Sequence, residues 1–70
     1  MENTVILTAG SGYHEEYMGN IAGKFCRTQA DMPVTVLVRN ARGNADDVLI
    51  RLPNGKRGLT IRQNLAFPPS

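Results

Sequence analysis

The stretch Ile50–Leu65, IRLPNGKRGLTIRQNL, is the segment on which the interpretation of the fold depends. Two short runs of alternating apolar and polar residues flank Pro-Asn-Gly-Lys, which is typical of a β-hairpin. We expect strands at 48–52 and 58–62, with Asn54-Gly55 at the centre of a two-residue turn or within a four-residue loop of the same register. Either loop places Ile50 opposite Leu59 and Val48 opposite Ile61, so that all four face the core.

This register predicts a basic sheet face. If Ile50 and Ile61 point inward, Arg51 and Arg62 point outward. Arg39 is outward by the same alternation in its own strand, and the remaining basic residues lie at the turn or in the preceding loop. The candidate binding residues are therefore Arg39, Arg42, Arg51, Lys56, Arg57 and Arg62.

The charge distribution supports an anionic partner. The chain of 70 residues has a net charge of +2, but residues 33–70 carry six Lys and Arg against Asp46 and Asp47. An uneven distribution of this kind indicates nucleic acid or an acidic protein surface as the partner. A solvated basic surface that only maintains solubility is the alternative.

A helix is predicted before the hairpin. Seven residues recur at spacings of three and four: His14, Tyr17, Met18, Ile21, Ala22, Phe25 and Cys26. This spacing predicts an amphipathic helix over about residues 13–29 that ends before Pro33. Phe25 would then be a core residue, and Phe25→Ala should cost about 3–5 kcal/mol.

The expected fold class is α+β. The N-terminal helix would pack on a mainly antiparallel sheet of three to five strands, which includes runs at 4–8 and 34–39 and the C-terminal hairpin. Residues 1–67 form one domain, and residues 68–70 are a tail. Domains of this size bury only about 60% of their unfolded surface, so we expect association into a homodimer.

Localisation and cofactors follow from composition. The N-terminus carries Glu2 where a signal peptide carries basic residues, and no apolar stretch is long enough to span a membrane. Cys26 is the only cysteine, which is typical of a core residue in a reducing compartment. The sequence therefore predicts a cytoplasmic protein without a membrane partner, a metal site or a cofactor.

The first family resemblance involves His14. The strand at 4–8, the segment Ala9-Gly-Ser-Gly-Tyr-His14 and the predicted helix resemble HPr, the histidine-containing phosphocarrier of bacterial sugar uptake, over residues 4–50. The resemblance implies that His14 is a phosphoacceptor at a helix N-terminus, where backbone N–H groups and the helix dipole stabilise an anion.

The second resemblance involves residues 48–67, VLIRLPNGKRGLTIRQNLAF, which are similar to the closing hairpin of a bacterial SH3-like barrel. No complete catalytic motif accompanies either resemblance. The sequence therefore predicts a small non-enzymatic binding or regulatory module that uses its basic sheet face. An HPr-like phosphocarrier and a structural subunit of an oligomer are the alternatives.

Overall fold

The computed structural model of the chain describes residues 4–67 and shows a protein built almost entirely of β-strands. The strands are β1 (Thr4–Leu7), β2 (Gly12–Tyr17), β3 (Asn20–Arg27), β4 (Met32–Arg39), β5 (Asp47–Arg51), β6 (Arg57–Ile61) and β7 (Leu65–Ala66). Two short 3-10 turns, Ala41–Gly43 and Arg62–Asn64, lie between strands. The predicted tail at 68–70 lies outside the described residues.

All seven strands belong to one antiparallel sheet, in the order β3-β2-β6-β5-β4-β1-β7. Its inner face carries one cluster of buried side chains: Val5, Leu7, Val34, Val36, Val48, Ile50, Leu52 and Leu65. Tyr13 of β2 and Phe67, which follows β7, pack on this same cluster although their strands lie far apart in the sheet. The sheet therefore curls around its core, as small β domains do to cover an apolar face.

The prediction of an α+β fold with a helix over residues 13–29 is wrong. That segment forms the hairpin β2–β3, with Tyr17 opposite Asn20 and a two-residue turn between them. Met18 and Gly19 have φ values of 51° and 83°, the left-handed values that such hairpin turns require. Gly19 adopts this conformation without strain, whereas glycine weakens a helix by about 1 kcal/mol.

The C-terminal hairpin exists, but its predicted register is wrong by one residue. Arg51 lies opposite Arg57, and Leu49 lies opposite Leu59. The turn is a three-residue loop, because the Leu52 N–H donates to the Lys56 carbonyl and Gly55 takes a φ of 89°. An odd loop length shifts the pairing by one, and such a shift moves one strand's side chains to the opposite face.

The strands predicted at 4–8 and 34–39 are present as β1 and β4. Within residues 4–67, no helix has the length and apolar character needed to cross a membrane.

Candidate binding face

The corrected register creates a row of apolar side chains on the face opposite the core. Four directly opposed pairs cross five adjacent strands: Phe25–His14, His14–Leu59, Leu59–Leu49 and Leu49–Val38. Residues directly opposite one another in antiparallel strands lie on the same side of the sheet. We call Phe25, His14, Leu59, Leu49 and Val38 the outer row.

The outer row is separate from the core and partly open to solvent. Phe25 is 56% exposed and Val38 46% exposed, while Leu59 in the middle of the row is only 5% exposed. Leu59 does not belong to the buried core cluster. A sheet with one face in water normally carries polar residues there, so this face has the composition of a contact surface.

A groove of about 410 Å³ runs along one side of the outer row. Its lining combines apolar side chains of Phe25, Leu59 and Ile61 with charged residues Arg27, Arg42 and Asp47. The His14 and Phe25 rings meet edge to face, with centroids 5.2 Å apart. This geometry stabilises Phe25 although more than half of its surface remains accessible.

Arg42 enters the groove from a turn of unusual backbone geometry. Its φ is 59°, in the left-handed region that a residue with a β-carbon occupies at a cost of about 1–2 kcal/mol. Neighbouring Asn40 and Gly43 also have positive φ values, of 55° and 73°. Backbone strain of this kind is concentrated at binding sites, where it fixes the direction of a functional side chain.

The other side of the outer row is bordered by charged side chains. Arg57 lies opposite Arg51, and its guanidinium forms an ion pair with Glu16 of β2. The hydrogen bond from Arg57 lowers the pKa of the Glu16 carboxyl and, reciprocally, raises the pKa of Arg57. Four arginines (27, 42, 51 and 57) and two carboxylates (Glu16 and Asp47) thus border the outer row, and their charges sum to +2.

The structure distributes the six predicted basic residues over three places. Arg51 and Arg57 border the outer row, and Lys56 lies in the turn beside them, 3.9 Å from Glu15. Arg42 lines the groove on the opposite side. Arg39 and Arg62 line a second cavity of about 210 Å³, which also contains Phe67.

The second cavity pairs an arginine with an aromatic ring. The guanidinium carbon of Arg39 lies 4.4 Å from the centroid of the Phe67 ring, within the range of a cation–π contact. Arg39 lies opposite Val48, whose side chain belongs to the core cluster, so Arg39 is on the same side of the sheet as Val48. A bulge in β4 between Val36 and Val38 changes the alternation of side chains that was predicted for this strand. Arg39 and Arg62 therefore form a group distinct from the arginines of the outer row.

His14, the predicted alternative phosphoacceptor, lies in the β-sheet, one strand from its β3 edge. It belongs to β2 and contacts Phe25 on one side and faces Leu59 on the other. The helix N-terminus on which the HPr resemblance depends is not present in the described residues. Nor do any three His, Cys, Asp or Glu residues between positions 4 and 67 converge as metal ligands would.

Sequence reasoning missed the outer row because the register placed Leu59 and Ile61 in the core. One signal was nevertheless present. The runs Val36-Leu37-Val38 and Val48-Leu49-Ile50 are apolar at both alternations of a strand. Continuous apolar runs indicate strands that are covered on both faces. In the described part of this sheet, one alternation of apolar side chains forms the core and the other contributes to the outer row.

The chain matches no protein-family model, and no curated protein or solved structure is significantly similar to it. The SH3-like resemblance of residues 48–67 therefore stays a prediction.

Proposed function

We propose that this protein is a non-enzymatic binding module whose outer row docks an acidic protein surface. The observation that carries the proposal is the continuous outer row itself, which leaves Phe25 and Val38 about half exposed on the side away from the core. Arginines on both sides of the row supply a positive rim. An apolar centre with an arginine-rich border is typical of protein–protein interfaces.

An acidic protein fits this face better than nucleic acid does. Leu59, Leu49 and Val38 offer neither a ring for base stacking nor a donor for phosphate. Phe25 and His14 are the two rings in the row, and they lie at one end of it. Single-strand binding requires several aromatic platforms along a basic groove, whereas an aliphatic surface buries apolar side chains of a protein.

The proposal can be tested with short random peptides displayed on phage and selected on the immobilised protein. We expect the selected peptides to combine Asp or Glu with aliphatic or aromatic residues. Val38→Thr conserves shape but places a hydroxyl in the row, and it should weaken binding of these peptides by about tenfold. Met18→Gln is the matched control, because Met18 is 88% exposed in the β2–β3 turn, outside the outer row.

Two results would overturn the proposal. One is selection of peptides without acidic residues, or peptides whose affinity is the same for Val38→Thr and for the native protein. The other is a homodimer in sedimentation equilibrium that dissociates in Val38→Thr, since the outer row would then be covered by a second copy. The homodimer expected from the chain's small size is tested in the same measurement.

Nucleic acid is a second candidate, and it is favoured at a different place by the pair of Arg39 and Phe67. A base would stack on the Arg39 guanidinium, which covers the Phe67 ring, while Arg62 neutralises a phosphate. A double Arg39→Gln, Arg62→Gln variant should then reduce the salt dependence of oligonucleotide binding by up to about 2 in slope. Arg51→Gln, on the outer face, is the control. Absence of oligonucleotide binding at low salt would exclude this candidate.

A further inference from the structure

Strand β3 is an open edge of the sheet next to the outer row. It is the terminal strand, and among the described residues only β2 pairs with it along its length. Its pairing with β2 is regular from Lys24 to Arg27, while a bulge interrupts residues 21–23. The opposite edge strand, β7, has only two residues, which is one way in which proteins protect an edge.

The backbone groups of β3 alternate between β2 and solvent. The Thr28 N–H and carbonyl both bond to the β1–β2 connection, at Ser11 and Gly10 respectively. In an antiparallel pair, residues bonded to the partner alternate with residues whose groups point away from it. Cys26 and Lys24 therefore bond toward β2, while the N–H and C=O groups of Arg27 and Phe25 point to the open side.

The side chains of this edge also alternate in chemistry. Phe25 ends the outer row, whereas Lys24 projects from the other side of the sheet and is exposed. Building on the proposed function, we propose that the acidic partner adds an extended strand to β3. Its apolar residues would continue the outer row beyond Phe25, and its carboxylates would lie beside Lys24.

Charge argues against a second copy of this chain at the same edge. Lys24 and Arg27 lie within the regular part of β3, so pairing of two such edges would bring four cations together. Lysine on an edge strand opposes this kind of self-pairing. An acidic extended segment instead brings carboxylates to Lys24, and main-chain hydrogen bonds then provide affinity without a deep pocket.

The test uses a synthetic peptide that alternates glutamate with valine and a control peptide of equal composition in which the glutamates precede the valines. We expect the alternating peptide to bind more tightly, by about tenfold. Its binding should slow amide hydrogen exchange at Phe25 and Arg27 by about tenfold or more, while Cys26 exchange changes little. Lys24→Glu should weaken binding at low salt, whereas Arg39→Glu, on β4 beside the second cavity, should weaken it less.

The outcomes separate this inference from the proposed function. If binding of the alternating peptide changes the amide resonance of Val38 but leaves amide exchange at Phe25 and Arg27 unchanged, the peptide docks on the outer row. Strand addition is then wrong. Equal affinity of the two peptides also overturns strand addition. If neither peptide binds at millimolar concentration, strand addition is wrong, while the phage-selected peptides and Val38→Thr still decide the proposed function.

Discussion

The tip of the Phe25 ring reaches Gly12 of the neighbouring strand β2 on the outer face of the sheet. A β-carbon at Gly12 would stand 2.5 Å from the ring's Cζ atom, so no larger residue fits while the ring keeps its position. Glycine at position 12 therefore leaves the space that the Phe25 ring occupies beside His14. The placement of this ring determines the end of the outer row and one wall of the groove.

Ring placement predicts a specific proton chemical shift. Because the Gly12 α-protons lie next to the edge of the Phe25 ring, its ring current should shift their resonances away from ordinary values in the native protein. Phe25→Leu should return them to ordinary values. Gly58, which faces Leu52 on the core side, is the internal control and should not respond. Unshifted Gly12 resonances in the native protein would contradict this arrangement.

The structure reverses the expected importance of Phe25 for stability. Phe25 is 56% exposed, whereas Ile50 is fully buried. Ile50→Ala should therefore lower the free energy of unfolding by about 2–5 kcal/mol, and Phe25→Ala by only about 1 kcal/mol. Urea denaturation of both variants measures the difference. A larger loss of unfolding free energy in Phe25→Ala than in Ile50→Ala would show that Phe25 is a core residue.

The β2–β3 turn allows a test for which a helix and a hairpin predict opposite changes in the free energy of unfolding. Gly19→Ala should stabilise a helix by about 1 kcal/mol, but it should destabilise the hairpin because φ at Gly19 is 83°. Met18→Asn should stabilise the hairpin by about 0.5–1 kcal/mol, since asparagine tolerates the left-handed φ of 51° found there. Thermal unfolding followed by circular dichroism distinguishes the two structures.

Local sequence was sufficient to predict some elements of this fold. The β-branched runs of β1 and β4 and the Asn-Gly turn of the last hairpin indicate strands wherever they occur. The register of that hairpin was not predictable in the same way. Loops of two, three or four residues can all be built around Asn54-Gly55, and only the three-residue loop places Leu49 and Leu59 on the outer face.

The segment from Tyr13 to Cys26 was misinterpreted for a related reason. Spacings of three and four between apolar residues also arise when two short strands fold over a turn. His14, the first residue of the predicted helical stripe, and Phe25, near its end, are in fact directly opposite each other across β2 and β3. Gly19 and Gly23 both disfavour a helix. The pairing of β2 with β6 joins this hairpin to the rest of the sheet and stabilises its extended conformation.

The ion pair of Glu16 and Arg57 predicts a dependence of stability on pH. Arg57 lowers the pKa of Glu16 below its ordinary value of 4.5, so the ionised carboxylate favours the folded state. This contribution is fully present above pH 4.5 and is lost as the pH falls through the lower pKa of the folded protein. The free energy of unfolding of the Glu16→Gln variant should depend less on pH in this range than that of the native protein. Added salt should reduce the difference, because the pair lies at the surface.

Substitution of Arg42 should have different effects on the stability of the fold and on the binding of peptides. Its left-handed backbone is costly for arginine, whereas asparagine adopts the same conformation more readily. Arg42→Asn should therefore leave the free energy of unfolding unchanged or raise it by up to about 1 kcal/mol. The same variant should bind the phage-selected acidic peptides more weakly, because one of the two groove arginines is lost. Reduced stability together with unchanged peptide affinity would show that Arg42 serves the turn and not the groove.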